Sequence, residues 1–154
     1  MSASPYQPDD PPDRYEAGTM NTGGLAGLRA AVAFLLEIGV ENIRAHEISL
    51  MQYLLDGLAS VPGLTCYGPA AAKDRLGLVS FNLHGLDPNR VASRLDEEFG
   101  IMVRAGLHCA PQAHRLLRTE DSGSVRVSVG WFNRKDEISE LVGALQIMAR
   151  EAAR

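Results

Sequence analysis

The sequence has 154 residues, of which 45% are hydrophobic, and its formal net charge is −4 at pH 7. This apolar fraction can bury a core, which excludes wholesale disorder, and the length favours a single domain. The acidic balance argues against nucleic acid or an anionic membrane as the main partner, and the two cysteines are too few for a disulfide framework.

The N-terminal residues 1–13 are rich in Pro, Asp and Ser and show no apolar period, which predicts a flexible leader. They carry no charged-then-apolar signal pattern. No apolar run in the sequence approaches the length of a membrane helix. We therefore expect a cytoplasmic protein with no membrane partner.

Two amphipathic helices are predicted after the leader. The first ends at Gly39, and its apolar residues at helical spacing are Leu25, Leu28, Val32, Leu35 and Leu36. Pro62 and Gly63 stop the second helix, whose apolar stripe consists of Ile43, Leu50, Leu54 and Leu58.

Strand and helix patterns alternate irregularly in the rest of the chain. Short apolar and alternating runs predict four strands, over residues 64–67, 76–83, 101–104 and 124–132. A helix is predicted between the second and third strands, because Asp87 can cap it, Pro88 suits its first turn and Gly100 suits its C-terminal cap. The last two strands are joined by a predicted turn. A final helix follows Asn133, and its buried stripe consists of Ile138, Leu141, Val142, Leu145 and Met148.

This order of elements predicts an α+β fold, because the strands do not strictly alternate with helices. We expect a small sheet of about four mostly antiparallel strands with helices packed on one face.

The chemistry of Cys109 has three interpretations. It lies in a predicted loop near Arg104, His108 and His114, whose positive charges would stabilise a thiolate nucleophile. It could instead be a buried turn residue, since free cysteine is often buried. A metal site with His108 and His114 is a third option, although this spacing matches no zinc pattern. Cys66 lies inside a predicted strand, which favours core packing.

Two further features could bind an anion. Arg126 lies in the middle of a valine-rich strand and needs an anionic partner, such as a carboxylate, or solvent on its face. Gly18 and Thr19 precede a helix, where backbone N–H groups and a hydroxyl could receive a phosphate. The alternatives are a solvated strand face and a simple capping segment.

Three segments carry a resemblance to a known family: "RYEAGTMNTGGLAGL" (residues 14–28), "VRAGLHCAP" (103–111) and "SVRVSVGWFN" (124–133). In order and spacing they resemble the C-terminal part of cysteine desulfurases and selenocysteine lyases. These belong to the class V aminotransferase family of pyridoxal-phosphate enzymes. The resemblance runs from about Asp13 to about Ala149, nearly the whole chain.

The resemblance implies an organisation for the chain. Residues 14–39 would form a cofactor-phosphate segment and linking helix, and residues 40–154 the small C-terminal domain of a fold-type I pyridoxal-phosphate enzyme. Thr19, with Gly18 beside it, matches the threonine that reaches the phosphate of pyridoxal 5′-phosphate in the neighbouring subunit of a homodimer. No metal is implied.

The resemblance also implies roles for four side chains. Cys109 matches the nucleophilic cysteine that takes sulfur from the substrate and holds it as a persulfide. Arg126 matches the arginine that pairs with the α-carboxylate of the substrate, which is cysteine or selenocysteine. Arg104 and His108 flank the cysteine in the same motif and are assigned to substrate binding.

One departure from the family is large. Its members are much longer, and a preceding large domain supplies the lysine that forms the Schiff base with the cofactor. The lysines here are Lys73 and Lys135, and neither lies in the family's serine-histidine-lysine context. We therefore expect a split subunit, fragment or remnant of such an enzyme that is inactive alone. The alternative is a non-enzymatic sulfur-relay or interaction module that docks on a separate cofactor-binding subunit or a sulfur-acceptor protein.

Overall fold

A computed structural model describes residues 6, 8–16 and 18–153 of the chain. The chain forms two compact units, Met1–Val40 and Glu41–Arg154. Among the described residues, no single helix is both long enough and apolar enough to cross a membrane.

The first unit consists mainly of one helix. A 3₁₀ turn covers Asp13–Tyr15, and helix α1 covers Thr22–Ile38, as the sequence predicts. The Asn21 side chain caps α1 by accepting a hydrogen bond from the Gly24 backbone N–H at 2.9 Å. Gly39 ends the helix with a φ of 83°, a left-handed value that favours glycine. No residue of α1 is buried. The predicted leader falls partly outside the described residues, and its described residues are exposed.

Among its described residues, the second unit contains four α-helices, four strands and a 3₁₀ turn at Ala72–Asp74. The helices are α2 (Val40–Ala59), α3 (Pro88–Phe99), α4 (Pro111–Leu117) and α5 (Lys135–Ala152). The strands are β1 (Leu64–Tyr67), β2 (Leu78–Leu83), β3 (Arg104–Gly106) and β4 (Ser124–Ser128).

The strands form one antiparallel sheet in the order β1-β2-β4-β3. Phe81 on β2 lies opposite Cys66 on β1 and Val125 on β4. The predicted α+β fold with an antiparallel sheet is therefore confirmed.

The core lies on one face of the sheet. Phe81, Val79 and Val125 are fully buried there, in one cluster with apolar residues of α2, α3 and α5. Since successive strand residues point to opposite faces, Ser80, Asn82 and Arg126 share the other face. The helix stripes predicted for α2 and α5 supply the core cluster with Leu50, Leu54, Leu58, Ile138, Leu141, Leu145 and Met148.

The first and last elements of this unit, α2 and α5, pack closely against each other. A Cβ on Gly57 would lie 2.6 Å from Cγ2 of Val142, so only glycine fits at this point of α2. Tyr53 and Ser139 share a hydrogen bond of 2.9 Å between their hydroxyl oxygens. Gln146 donates to the Ser60 hydroxyl at 3.1 Å.

Helix α3 has the N-terminal and C-terminal caps that the sequence predicts. The Asp87 carboxylate accepts hydrogen bonds from the backbone N–H groups of Asn89 and Arg90, at 2.8 and 3.3 Å. Gly100 then ends the helix in the left-handed conformation, with a φ of 66°.

Four local predictions are wrong. The fourth strand ends at Ser128 instead of residue 132, because Gly130 and Asn133 form a turn in which each bonds the other. The third strand covers Arg104–Gly106 instead of residues 101–104, because the Ile101 N–H closes the end of α3 on the Leu95 carbonyl and is lost to the sheet. The predicted turn between the last two strands contains helix α4, which begins at Pro111. Cys66 is exposed, because β1 is an edge strand.

Candidate functional site

Cys109 lies in a tight turn between β3 and α4. The Ala110 N–H donates to the Leu107 carbonyl at 2.9 Å, which closes the turn. Its two central residues, His108 and Cys109, both have positive φ values, of 53° and 56°. Asparagine and glycine are the usual residues in a turn of this mirror-image kind. The Cys109 side chain is exposed, so the interpretation as a buried turn residue is wrong.

His108 connects this turn to β3. Its Nε2 lies 3.2 Å from the Arg104 carbonyl oxygen, which can only accept, so Nε2 carries the proton. Burial lowers the pKa of His108 below its usual range. The hydrogen bond to Arg104 opposes this shift, and the charges of Arg126, His114 and Arg104 reinforce it. We infer that His108 is neutral at pH 7, with Nδ1 unprotonated.

His114 and Thr119 form a buried pair behind the turn. Their side chains are 4% and 5% exposed, and His114 Nδ1 lies 2.8 Å from the Thr119 hydroxyl. The His114 ring lies 5.7 Å from the His108 ring, measured between centroids. The sequence predicts that His114 lies near Cys109. Nothing in the sequence indicates that Thr119 lies there as well. No group of three His, Cys, Asp or Glu in the described part of the chain is arranged to hold a metal ion.

Two arginines lie side by side on the polar face of the sheet. Arg104 on β3 is the direct cross-strand partner of Arg126 on β4, and Ser80 lies on the other side of Arg126. Like charges in directly opposite positions destabilise a sheet. Neither arginine forms an ion pair with a carboxylate among the residues that the structure describes. An anion between the two guanidinium groups would offset this repulsion.

Buried polar atoms lie beside these arginines on the same face of the sheet. Arg126 Nε, Asn82 Oδ1 and Ser124 Oγ are buried and have no hydrogen-bond partner among the residues that the structure describes. Asn82 donates from Nδ2 to the Gly123 carbonyl at 3.0 Å and so fixes the start of β4. Asn82 and Ser124 are absent from the site expected from the sequence. Their alternation with core residues is the signal that places them on the face of Arg126.

The predicted phosphate segment belongs to the first unit. Gly18 has a φ of 81°, and both Gly18 and Thr19 are exposed. The following helix is capped by Asn21, which takes the Gly24 N–H. Phosphate binding by Gly18 and Thr19 stays a prediction, as do the roles of Cys109 and the residues around it.

The two lysines lie away from the candidate site. Lys73 and Lys135 both line a groove beside α2, together with Tyr53. Helix α2 packs on the core face of the sheet, whereas Arg126 lies on the opposite face. The described residues therefore supply no lysine for the covalent attachment of pyridoxal phosphate next to the arginine pair.

Comparisons with known proteins agree on one family. The family model for aminotransferase class-V matches residues 1–141. A probable cysteine desulfurase of Methanothermobacter thermautotrophicus is 37% identical over 97% of this chain and 37% of its own length. A cysteine desulfurase of Escherichia coli O127:H6 is 42% identical over 90% of this chain and 33% of its own length.

Comparison of the fold with solved structures identifies the same kind of protein. The apo structure of a cysteine desulfurase from Thermococcus onnurineus NA1 superposes with a TM-score of 0.84 and 36% identity, covering 95% of this chain and 36% of that one. The chain spans about a third of the length of the curated relatives it matches. With a family match over most of its residues, the chain belongs to the class V aminotransferase family, and the relatives named here are cysteine desulfurases.

Proposed function

We propose that this chain is the sulfur-handling part of a pyridoxal-phosphate-dependent cysteine desulfurase or selenocysteine lyase. The observation that carries the proposal is the arginine pair on the polar sheet face, next to the turn that exposes Cys109. The positive charges of Arg104 and Arg126 lack a carboxylate partner among the described residues, and they suit an amino-acid substrate that has an anionic group.

Each residue of the site has a role in this proposal. Arg126 and Arg104 hold the α-carboxylate of cysteine or selenocysteine. The Cys109 thiolate attacks the sulfur of the substrate, so that an S–S bond forms as the Cβ–S bond breaks. The electron pair of the broken bond stays with Cβ, which takes up a proton from solvent to give alanine. Neutral His108 adds no positive charge to the arginine pair.

Pyridoxal phosphate supplies the electron withdrawal that weakens the Cβ–S bond when it is bound. Because neither Lys73 nor Lys135 lies on the face of the arginine pair, this part of the reaction needs a lysine from outside the described residues. Thr19 and Gly18 would contribute to holding the cofactor phosphate, across a homodimer as in the family.

We expect the purified chain to release no sulfide from cysteine, because the site lacks its own lysine for the cofactor. The measurement is an absorption spectrum with added pyridoxal phosphate, together with a sulfide assay. The expected spectrum is that of the free aldehyde. An imine band that survives dialysis and disappears on borohydride reduction, together with sulfide release, would contradict the proposal.

A second candidate function is a non-enzymatic module that docks on a separate cofactor-binding protein. It is favoured by α1, whose apolar residues Leu25, Leu28 and Leu36 are 50%, 61% and 77% exposed. Helices with this much apolar surface are usually covered by a partner. Co-purification of a cofactor-binding subunit that restores sulfide release would support docking. Leu28→Glu should then abolish the co-purification, and an unchanged yield would count against it.

A further inference from the structure

The geometry points to His114 as a positioning residue that holds Cys109 in its strained turn. We propose that the buried His114–Thr119 pair, acting through the His108 ring, keeps both central residues of the turn in the left-handed conformation. This inference deepens the proposed function, since it concerns how the thiol assigned to sulfur transfer is presented.

The turn needs an external support because its own residues disfavour it. A non-glycine residue in the left-handed region costs roughly 1–2 kcal/mol, and His108 and Cys109 are two such residues in succession. The hydrogen bond that closes the turn joins only the flanking residues Leu107 and Ala110. A strained backbone conformation persists where several surrounding interactions hold it in place.

The His108 ring has two contacts that can support the turn. It donates from Nε2 to the Arg104 carbonyl on β3. It also lies 5.7 Å from the His114 ring, within the range of aromatic pairs. A rotation of the turn toward right-handed φ values would carry His108 away from both contacts.

The His114 backbone N–H donates to the Ala110 carbonyl at the end of the turn, at 3.2 Å, and its side chain is fixed by Thr119, which lies outside the turn. His114 Nδ1 shares a 2.8 Å hydrogen bond with the Thr119 hydroxyl, and the His114 carbonyl accepts the Thr119 N–H at 2.9 Å. Both side chains are more than nine-tenths buried. The pair therefore closes α4 and presents a rigid ring to His108.

A double-mutant cycle on thermal stability tests this assignment. Cys109→Gly relieves strain only if the turn is still held left-handed. We expect it to raise Tm by about 4 °C in the natural background and by less than about 1 °C when His114 is replaced by alanine. An equal gain in both backgrounds would show that His114 is merely structural and would overturn the inference.

The cycle is repeated at Thr119, because His114→Ala leaves a cavity that could unfold the domain. Thr119→Val removes the hydroxyl with little change in volume and should also abolish the gain from Cys109→Gly, whereas Thr119→Ser should preserve it. Gly143→Ala in α5 serves as the control, since a Cβ there meets nothing within 4 Å and its effect should be the same in every background.

A spectroscopic readout reports the turn directly. The three-bond coupling between the amide and α protons of Cys109 depends on φ, and it should change in His114→Ala but not in Gly143→Ala. An unchanged coupling would reject the inference. These measurements involve neither sulfur nor cofactor, so their failure is distinct from failure of the proposed function.

Discussion

A Cys109→Ser variant is expected to take up no sulfur at residue 109. After treatment with an inorganic polysulfide, which transfers one sulfur atom to a thiolate and leaves one atom shorter, the natural chain should gain roughly 32 Da as a persulfide. Serine lacks the sulfur nucleophile, so the adduct on this residue should disappear completely. Intact-mass spectrometry under non-reducing conditions measures the gain, and peptide mapping locates it.

The chain contains its own control for this experiment. Cys66 is also an exposed free cysteine, but it lies on edge strand β1, at the opposite end of the sheet from β3. A Cys66→Ser variant should keep the adduct on Cys109. If the adduct forms only on Cys66, or if it persists in Cys109→Ser at the natural level, Cys109 is not the sulfur acceptor.

The largest expected loss of stability comes from Gly123→Ala. A Cβ on Gly123 would lie 2.6–2.7 Å from the backbone atoms of Gly106, and neither backbone can move without breaking the β3–β4 pairing. Gly123 also has a φ of 72°, which alanine disfavours. Overpacking and the left-handed conformation together cost about 3 kcal/mol in the free energy of unfolding. Urea unfolding monitored by circular dichroism measures the change.

The matched substitution is Gly143→Ala, at a helical glycine with free space around it. It should stabilise the chain by about 0.5–1 kcal/mol, because alanine favours a helix over glycine. Because Gly106 leads directly into the Cys109 turn, Gly123→Ala should in addition change the alkylation rate of Cys109. Equal stabilities of the two alanine variants would show that the close approach of β3 and β4 is not restrictive.

Much of the fold is predictable from local sequence signals. The caps of α3 at Asp87 and Gly100 are visible in the sequence because each satisfies the helix end by itself. The alternation of Val79 and Phe81 with Ser80 places β2 correctly, since burial on one face imposes a period of two. These elements depend on neighbours close in sequence.

Two of the wrong predictions concern features that depend on contacts between residues far apart in the sequence. Helix α4 has only seven residues, and His114 is its one buried residue. Because a single buried position shows no helical periodicity, the sequence alone favours a turn. Cys66 lies in a strand as expected, but the sequence does not reveal that this strand is at the edge of the sheet. Burial of a strand residue depends on the strand's neighbours in the sheet.

The sequence predicts which residues form the candidate site, but it does not predict how they are arranged in space. A family resemblance names Cys109, Arg126 and Arg104, whereas the pairing of the two arginines needs the strand register. The left-handed conformation at His108 and Cys109 is also hidden, because neither is the glycine or asparagine that usually marks it. The neighbours of Arg126 on the polar face of the sheet, Asn82 and Ser124, come from two different strands.

The packing of α5 on α2 has a consequence for how the chain is made. Tyr53 and Ser139 are 86 positions apart, as are Ser60 and Gln146, so these contacts close nearly the whole second unit into one loop. Loop closure of this length slows folding, and α5 leaves the ribosome after every other element of the second unit. A nascent chain that has not yet reached Lys135 lacks the core residues of α5, so the apolar sides of α2 and of the sheet stay uncovered until α5 has been synthesised.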